Sequence, residues 1–194
     1  MYRVLCAIFL GLGFVSAVVA ETATAIFAGG CFWCMESAYQ EQAGVSEVIS
    51  GFTGGESTNP SYQGDHEGHF EAIKVTYDPA VISYQQLLDL YWVNIDPFDN
   101  KGQFCDKGAS YRSAIFPATA TEKMLAEQSL AAVVTRFAPA TVYTEIRPAG
   151  AFWPVEEGHQ DYYLKNPVRY KYYRWNCGRD QRLEKIWGQS ATAH

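Results

Sequence analysis

Residues 25–37 read AIFAGGCFWCMES: a short apolar run, two glycines, then two cysteines three positions apart where a helical pattern begins. A strand passes this abruptly into a helix only through a backbone break, which Gly29-Gly30 supplies. The chain is therefore expected to open with a β–α unit. Ile26-Phe27-Ala28 is a buried strand, and a helix runs from Cys31 to about Gln42, ended by Gly44.

A thiol on the first turn of a helix faces backbone N–H groups without intrahelical partners and the positive end of the helix dipole. Both favour thiolate, so Cys31 is expected to titrate below the ~8.5 of a free thiol. The glycines let backbone N–H groups approach an anion closely. Cys34, one turn on along the same face, has less of this environment but lies within disulfide reach. Spacing alone leaves three readings open: a redox pair, two buried thiols without chemistry, or half of a zinc site completed by Cys105 and Cys177. Neither of the latter belongs to a second CxxC, which weakens the zinc reading. A general thiol–disulfide oxidoreductase fits better, although Phe-Trp is bulkier than such a motif usually carries between its cysteines.

Further along, VSEVISGF alternates as a half-buried strand, and GGESTNPSYQGD is a loop of turn residues. In FEAIKVTYDP, Ile73, Val75 and Tyr77 share one strand face, closed by Asp78-Pro79. Ser83 with Gln86 forms a capping box opening the helix YQQLLDLYWVNI, and Thr119 with Glu122 another, opening a helix to about Phe137. Between them lie the loop DPFDNKGQFCDKGAS and the strand YRSAIF. TVYTEI alternates with Val142, Thr144 and Ile146 on one side. The last stretch, HQDYYLKNPVRYKYYRWNCGRDQRL, is too polar and aromatic for a clean core element and is expected to wrap around the rest. Partial alternation of strands and helices favours a two-layer α/β sandwich over a doubly wound sheet.

The N-terminus carries one positive charge in MYR, then VLCAIFLGLGFVSAVV and small residues ending at Ala20, the pattern of a secretory signal peptide. Its apolar run is too short for a confident membrane span. The expected organisation is a signal peptide over residues 1–20 and one domain over residues 21–194, exported to the periplasm or medium, without stable membrane insertion after cleavage. Cys6 would leave with the signal. The formal charge of −6 argues against nucleic acid and anionic membrane as partners. The 13 Tyr, 11 Phe and 5 Trp suit a site for a soft, partly apolar group.

GCFWCMES, GFTGG followed by NPSY, GHFEAIKVTYDP, CDKGASYRSAIF and HQDYYLKNPVRY together resemble the peptide methionine sulfoxide reductase A family, in its order and close to its spacing, over residues 25–175. The chain departs from the family pattern at Phe52 and Phe70, where tyrosine and alanine are usual. The resemblance implies a reductase of the S epimer of free and protein-bound methionine sulfoxide, an enzyme class that restores oxidised methionine. It makes Cys31 the nucleophile, Glu71 the acid that protonates the sulfoxide oxygen, and Tyr62 and Tyr111 the phenols that hydrogen-bond that oxygen. Asp106 is the acidic residue five positions before the second tyrosine. Phe32 and Trp33 are the walls that hold the sulfoxide methyl.

Those residue types suit the chemistry. A sulfoxide sulfur is weakly electrophilic until its oxygen is protonated, so thiolate, acid and hydroxyl donors must converge on one small group. The resulting sulfenic acid would condense with a second thiol. Cys177 is a candidate because many family members bring a resolving thiol from this region, and Cys34 because it is near. Cys105 ranks behind them, and the order stays open. No cofactor and no metal are implied, since His66 and His69 are spaced across a glycine-containing loop rather than along a helix. The electron donor implied is a thiol reductant such as a thioredoxin-like protein, and a monomer is expected. The fold expected is α/β (α+β), a two-layer sandwich with a mixed, ferredoxin-like sheet and a C-terminal segment wrapping the active site.

Overall fold

The computed structural model describes residues 22–188. The expected signal peptide and Cys6 lie outside the described residues. Strand β1 (Ala23–Gly29) runs into helix α1 (Phe32–Gln40), followed by β2 (Val45–Thr53), β3 (Phe70–Tyr77) and α2 (Tyr84–Val93). A two-strand hairpin, β4 (Gly102–Gln103) and β5 (Asp106–Lys107), precedes β6 (Ser113–Phe116), α3 (Ala120–Phe137), β7 (Glu145–Ile146) and β8 (Phe152–Pro154). Three helices finish the described chain: α4 (Tyr162–Lys165), α5 (Pro167–Asn176) and α6 (Arg179–Trp187).

The main sheet has the order β7-β6-β1-β3-β2-β8. All neighbours are antiparallel except β6 and β7. Its central four strands, β6-β1-β3-β2, carry the β–α–β crossovers of a ferredoxin-like core, so the expected mixed two-layer architecture is found. Strand alternation divides the burial. Phe27, Ile73 and Val75 join Met35, Leu87 and Leu88 in one apolar cluster, whereas Ala28, Phe70, Ala72, Ala114 and Phe116 make a second. The atypical Phe70 fills that second cluster, edge-on to Phe116 and beneath the guanidinium groups of Arg112 and Arg147. Phe27 stacks among Tyr39, Tyr84 and Tyr91, which fixes both helices against β1. Two of those phenols are satisfied by main-chain carbonyls, Tyr39 at Leu87 and Tyr91 at Ala28, each at 2.9 Å.

The break after β1 is sterically required. A Cβ on Gly29 would lie 2.5 Å from the Met35 sulfur, and one on Gly30 2.5 Å from the Gln103 side chain. Gly30 also has φ +83°, so neither position accepts a side chain without displacing what packs there. Ser83 and Gln86 make the complete capping box. At α3 only half of one forms: Thr119 accepts from the Glu122 amide, but the Glu122 carboxylate reaches the Ala118 amide instead.

The structure departs from the sequence reading in three places. Within TVYTEI only Glu145–Ile146 pairs as a strand, and the buried Thr144 hydroxyl shares a hydrogen bond with that of Ser113 at 3.0 Å. The short edge strand β8 has no alternation to announce it. The C-terminal stretch does wrap around the domain, but it also supplies core. Leu183, Trp187 and Tyr170 are buried, and the Trp187 indole donates to the Ile95 carbonyl at 3.0 Å. Amphipathic helices whose inner faces are tyrosine, tryptophan and arginine hide from a search for aliphatic periodicity. A disulfide between Cys105 and Cys177, with Cα atoms 4.9 Å apart, ties the β4–β5 hairpin to the end of α5.

Candidate active site

Cys31 occupies the N-cap of α1 and holds its first turn through its carbonyl, which accepts from the amides of Cys34 at 3.1 Å and Met35 at 3.3 Å. The amide of Phe32 points instead at Glu71, donating to its Oε2 at 3.2 Å. Glu71 is there because of strand parity. The alternation that places Ile73, Val75 and Tyr77 on one face of β3 puts Glu71 on it too, directly across from Phe52 of β2. Its carboxyl is thus buried beneath the start of the helix.

The two thiols do not behave as their positions on the helix suggest. Cys31 and Cys34 are both free and buried, and their side chains share a hydrogen bond. Burial, then the hydrogen bond and charge of Cys34 and the charge of Glu71, push the Cys31 thiol well above its usual value, against the expectation from the helix start. Cys34 is drawn down to about 6, first by the hydrogen bond from Cys31, then, against burial, by the positive charges of Arg179 and Arg174 and a hydrogen bond with Tyr170. The pair therefore titrates as a unit and shares one proton at neutral pH, with the negative charge drawn toward Cys34. Arg179 is only 2% exposed. It donates to the carbonyl of Asn94 at 2.6 Å and to the Met35 sulfur at 3.4 Å, and no carboxylate pairs with it among the described residues.

Around Cys31 the structure gathers Phe32, Trp33, Tyr62, Glu71, Asp106, Tyr111 and Tyr173 on a pocket of about 40 Å3. Burial raises Glu71 to about 8, reinforced by the charge of Asp106 and opposed by hydrogen bonds from the Phe32 amide and Tyr111. It is a carboxylic acid at neutral pH. Asp106, on β5, is also raised by burial, against hydrogen bonding from Tyr173 and the charge of Arg179. The phenols of Tyr62, pushed up to about 12 by burial first, and Tyr111, raised further by the same cause, remain protonated donors.

The walls are aromatic. Trp33 stacks on Tyr162 with centroids 3.8 Å apart, and His159 lies 3.9 Å from Tyr62 and 5.6 Å from Trp33. Phe32 packs edge-on to Phe52 at 5.9 Å, so the phenylalanine found where the family pattern has tyrosine supports the pocket wall. The segment bearing His159 and Tyr162 is pinned from both sides. Gln160 bridges the main chain of Ser50, while the Asp161 amide donates to Glu36 of α1 at 3.0 Å.

Every residue singled out in the sequence for the nucleophile, acid, phenols and walls thus lines one pocket. Of the candidate resolving thiols, Cys34 hydrogen-bonds Cys31, whereas Cys177 is bonded to Cys105. A four-cysteine zinc site is incompatible with that pairing. His66 and His69 bond the Ser61 carbonyl and Ser57, respectively. Sequence reasoning missed Tyr173, whose hydroxyl donates to Asp106 and also contacts Cys31. It missed Arg174 and Arg179 as well. Only the helical spacing of Tyr170, Tyr173 and Arg174 could have shown that they share a face. A wider groove of about 410 Å3 between Ser46–Ile49 and residues 154–161 has no cysteine in its lining.

A family model described as peptide methionine sulfoxide reductase matches residues 23–191. The chain is 48% identical over 171 residues to peptide methionine sulfoxide reductase MsrA 2 of Caulobacter vibrioides, covering 87% of both proteins. It is 46% identical over 169 residues to MsrA of Bacillus licheniformis, covering 85% of this chain and 93% of that protein. Among solved structures it resembles methionine sulfoxide reductase A of Corynebacterium diphtheriae, with TM-score 0.71, 30% identity and 76% of each chain covered.

Proposed function

The chain belongs to the peptide methionine sulfoxide reductase family, and we propose that it reduces the S epimer of methionine sulfoxide, free or within proteins, by attack of Cys31 on the sulfoxide sulfur. The observation that carries this reading is the convergence of a thiol–thiolate pair, a protonated carboxyl and two phenols on one aromatic-walled pocket. As Cys31 attacks, its proton passes to the Cys34 thiolate with which it already shares a hydrogen bond. Glu71 donates a proton to the sulfoxide oxygen, with Tyr62 and Tyr111 holding that oxygen and Phe32 and Trp33 enclosing the methyl group. The oxygen moves to sulfur, leaving methionine and a Cys31 sulfenic acid. Cys34 then displaces water from the sulfenic acid to form a Cys31–Cys34 disulfide, and an external dithiol of the thioredoxin type returns two electrons. No prosthetic group takes part.

Cys34 is assigned as the resolving thiol because it touches Cys31, while Cys177 is engaged with Cys105. The signal-like residues 1–20 support an exported protein that repairs oxidised methionine outside the cytoplasm.

The reading is tested by kcat/KM for an S-epimer sulfoxide across pH with dithiothreitol as reductant. The thiolate is present above about 6 and protonated Glu71 is lost above about 8. The profile should therefore be a bell whose limbs lie near those values. Preferential reduction of insulin disulfides, with no preference for sulfoxide, would instead make the protein a general thiol–disulfide oxidoreductase.

A further inference from the structure

Four large apolar side chains stand out on the C-terminal helices: Leu164 at 58%, Val168 at 82%, Tyr172 at 65% and Trp175 at 67% exposed. On α5, Val168, Tyr172 and Trp175 follow the i, i+4, i+7 spacing of one helix face, while Leu164 lies on α4, beyond the break at Asn166. The opposite face of α5 carries Tyr170 and Tyr173, which contact Cys34 and Cys31, and the buried Arg174. One side of this helix thus faces the reactive thiols while the other presents an apolar stripe to solvent. The other large exposed apolar residues among those described lie elsewhere, Met124 and Val134 ten positions apart on α3 and Val81 and Tyr143 in loops. An exposed helix face in which Tyr172 and Trp175 lie with ring centroids 6.1 Å apart has the composition of an interaction surface.

The stripe ends two residues before Cys177. Cys31 and Cys34 are 4% and 1% exposed, so sulfurs on the surface of a folded protein cannot reach a bond between them directly. The Cys105–Cys177 disulfide is different, since Cys105 is exposed and Cys177 half-buried. Arg169 and Lys171 flank the stripe on a chain whose net charge is −6, which favours a partner with an acidic rim.

We propose that the α5 stripe of Val168, Tyr172 and Trp175 is the docking surface for the protein dithiol that recycles this enzyme, placing the donor's reactive thiol at Cys105–Cys177. The proposal rests on the dithiol-recycled reaction described above. One donor thiolate attacks a sulfur of Cys105–Cys177, forming a mixed disulfide and releasing the other cysteine as a thiolate. The second donor thiol closes the donor's own disulfide, and both protein cysteines are left as thiols. Two electrons have entered, available to the Cys31–Cys34 disulfide by a second exchange.

The test is steady-state reduction of free S-methionine sulfoxide by the full chain, once with bacterial thioredoxin, thioredoxin reductase and NADPH, and once with dithiothreitol. In the Tyr172→Ser/Trp175→Ser variant, KM for thioredoxin should rise by about tenfold or more. With dithiothreitol, its kcat and its KM for the sulfoxide should match those of the unsubstituted enzyme. An unchanged KM for thioredoxin would overturn the proposal. So would a rise confined to KM for an oxidised peptide, which would make the stripe a substrate surface, or a dimer that dissociates in the variant, which would make it a self-interface. If the unsubstituted enzyme turns over with dithiothreitol but not with thioredoxin, the protein-donor reading itself fails and takes the docking surface with it.

Discussion

Cys31→Ser enzyme is expected to lose sulfoxide reduction by about 10⁴-fold or more, with dithiothreitol as reductant. The substitution replaces one small buried donor with another, so the hydrogen bond toward Cys34 and the cap of α1, which uses the Cys31 carbonyl, are both retained. What disappears is the polarisable sulfur. A serine hydroxyl is far too weakly acidic to give its proton to a thiolate that titrates near 6. This variant also separates the two sulfurs. The charge of the pair is drawn toward Cys34, so a nucleophile chosen by acidity alone would be Cys34. In that case Cys31→Ser enzyme would still release one equivalent of methionine in a single turnover. Geometry argues otherwise, since the pocket is lined by Cys31 and not by Cys34. Retained burst formation of methionine, measured by mass spectrometry on enzyme shown by circular dichroism to be folded, would reassign the nucleophile.

Glu71→Gln enzyme should lose about 10²- to 10⁴-fold in kcat/KM, the range for removing a positioned general acid. The amide oxygen still accepts from the Phe32 main chain, so the helix start keeps its anchor. The NH₂ group can hydrogen-bond the sulfoxide oxygen but cannot transfer a proton to it at the pH of the assay. The descending limb near 8 belongs to Glu71, and it should vanish in this variant while the ascending thiolate limb remains. Folding should improve rather than suffer above neutral pH, because the neutral amide removes a carboxyl whose ionisation is opposed by burial. Activity within tenfold of the unsubstituted enzyme would remove Glu71 from the proton path and leave Asp106 as the acid to examine.

The unequal treatment of the two cysteines was partly legible. The strand, the glycines and the helix start around Cys31 are local, and local features survive translation into structure. The direction of the titration was not. The helix start favours a thiolate, but burial and the neighbouring sulfur and carboxylate outweigh it, and neither can be read from spacing. Glu71 shows another boundary. Its parity with Ile73, Val75 and Tyr77 was present in the sequence, but only the register of β3 against β2 and the crossing of α1 show that the shared face ends beneath a thiol. Arg179 and Tyr173 were invisible for a related reason. Each lies more than 130 residues from Cys31, and the polar, aromatic composition of their helices gives no sign that these side chains turn inward. The hairpin that brings Asp106 and Cys105 to the same place spans two residues per strand, too short for any alternation.

The most direct measurement takes enzyme reduced at Cys31 and Cys34 with the Cys105–Cys177 disulfide intact, freed of reductant, through one equivalent of S-methionine sulfoxide, followed by quantification of methionine and peptide mapping of disulfides. One methionine per chain is predicted, with Cys31 and Cys34 lost as free thiols and joined to each other. A Cys31–Cys177 link, or full methionine formation with Cys34 still titrating as a thiol, would contradict the assignment of Cys34 as the partner that resolves Cys31.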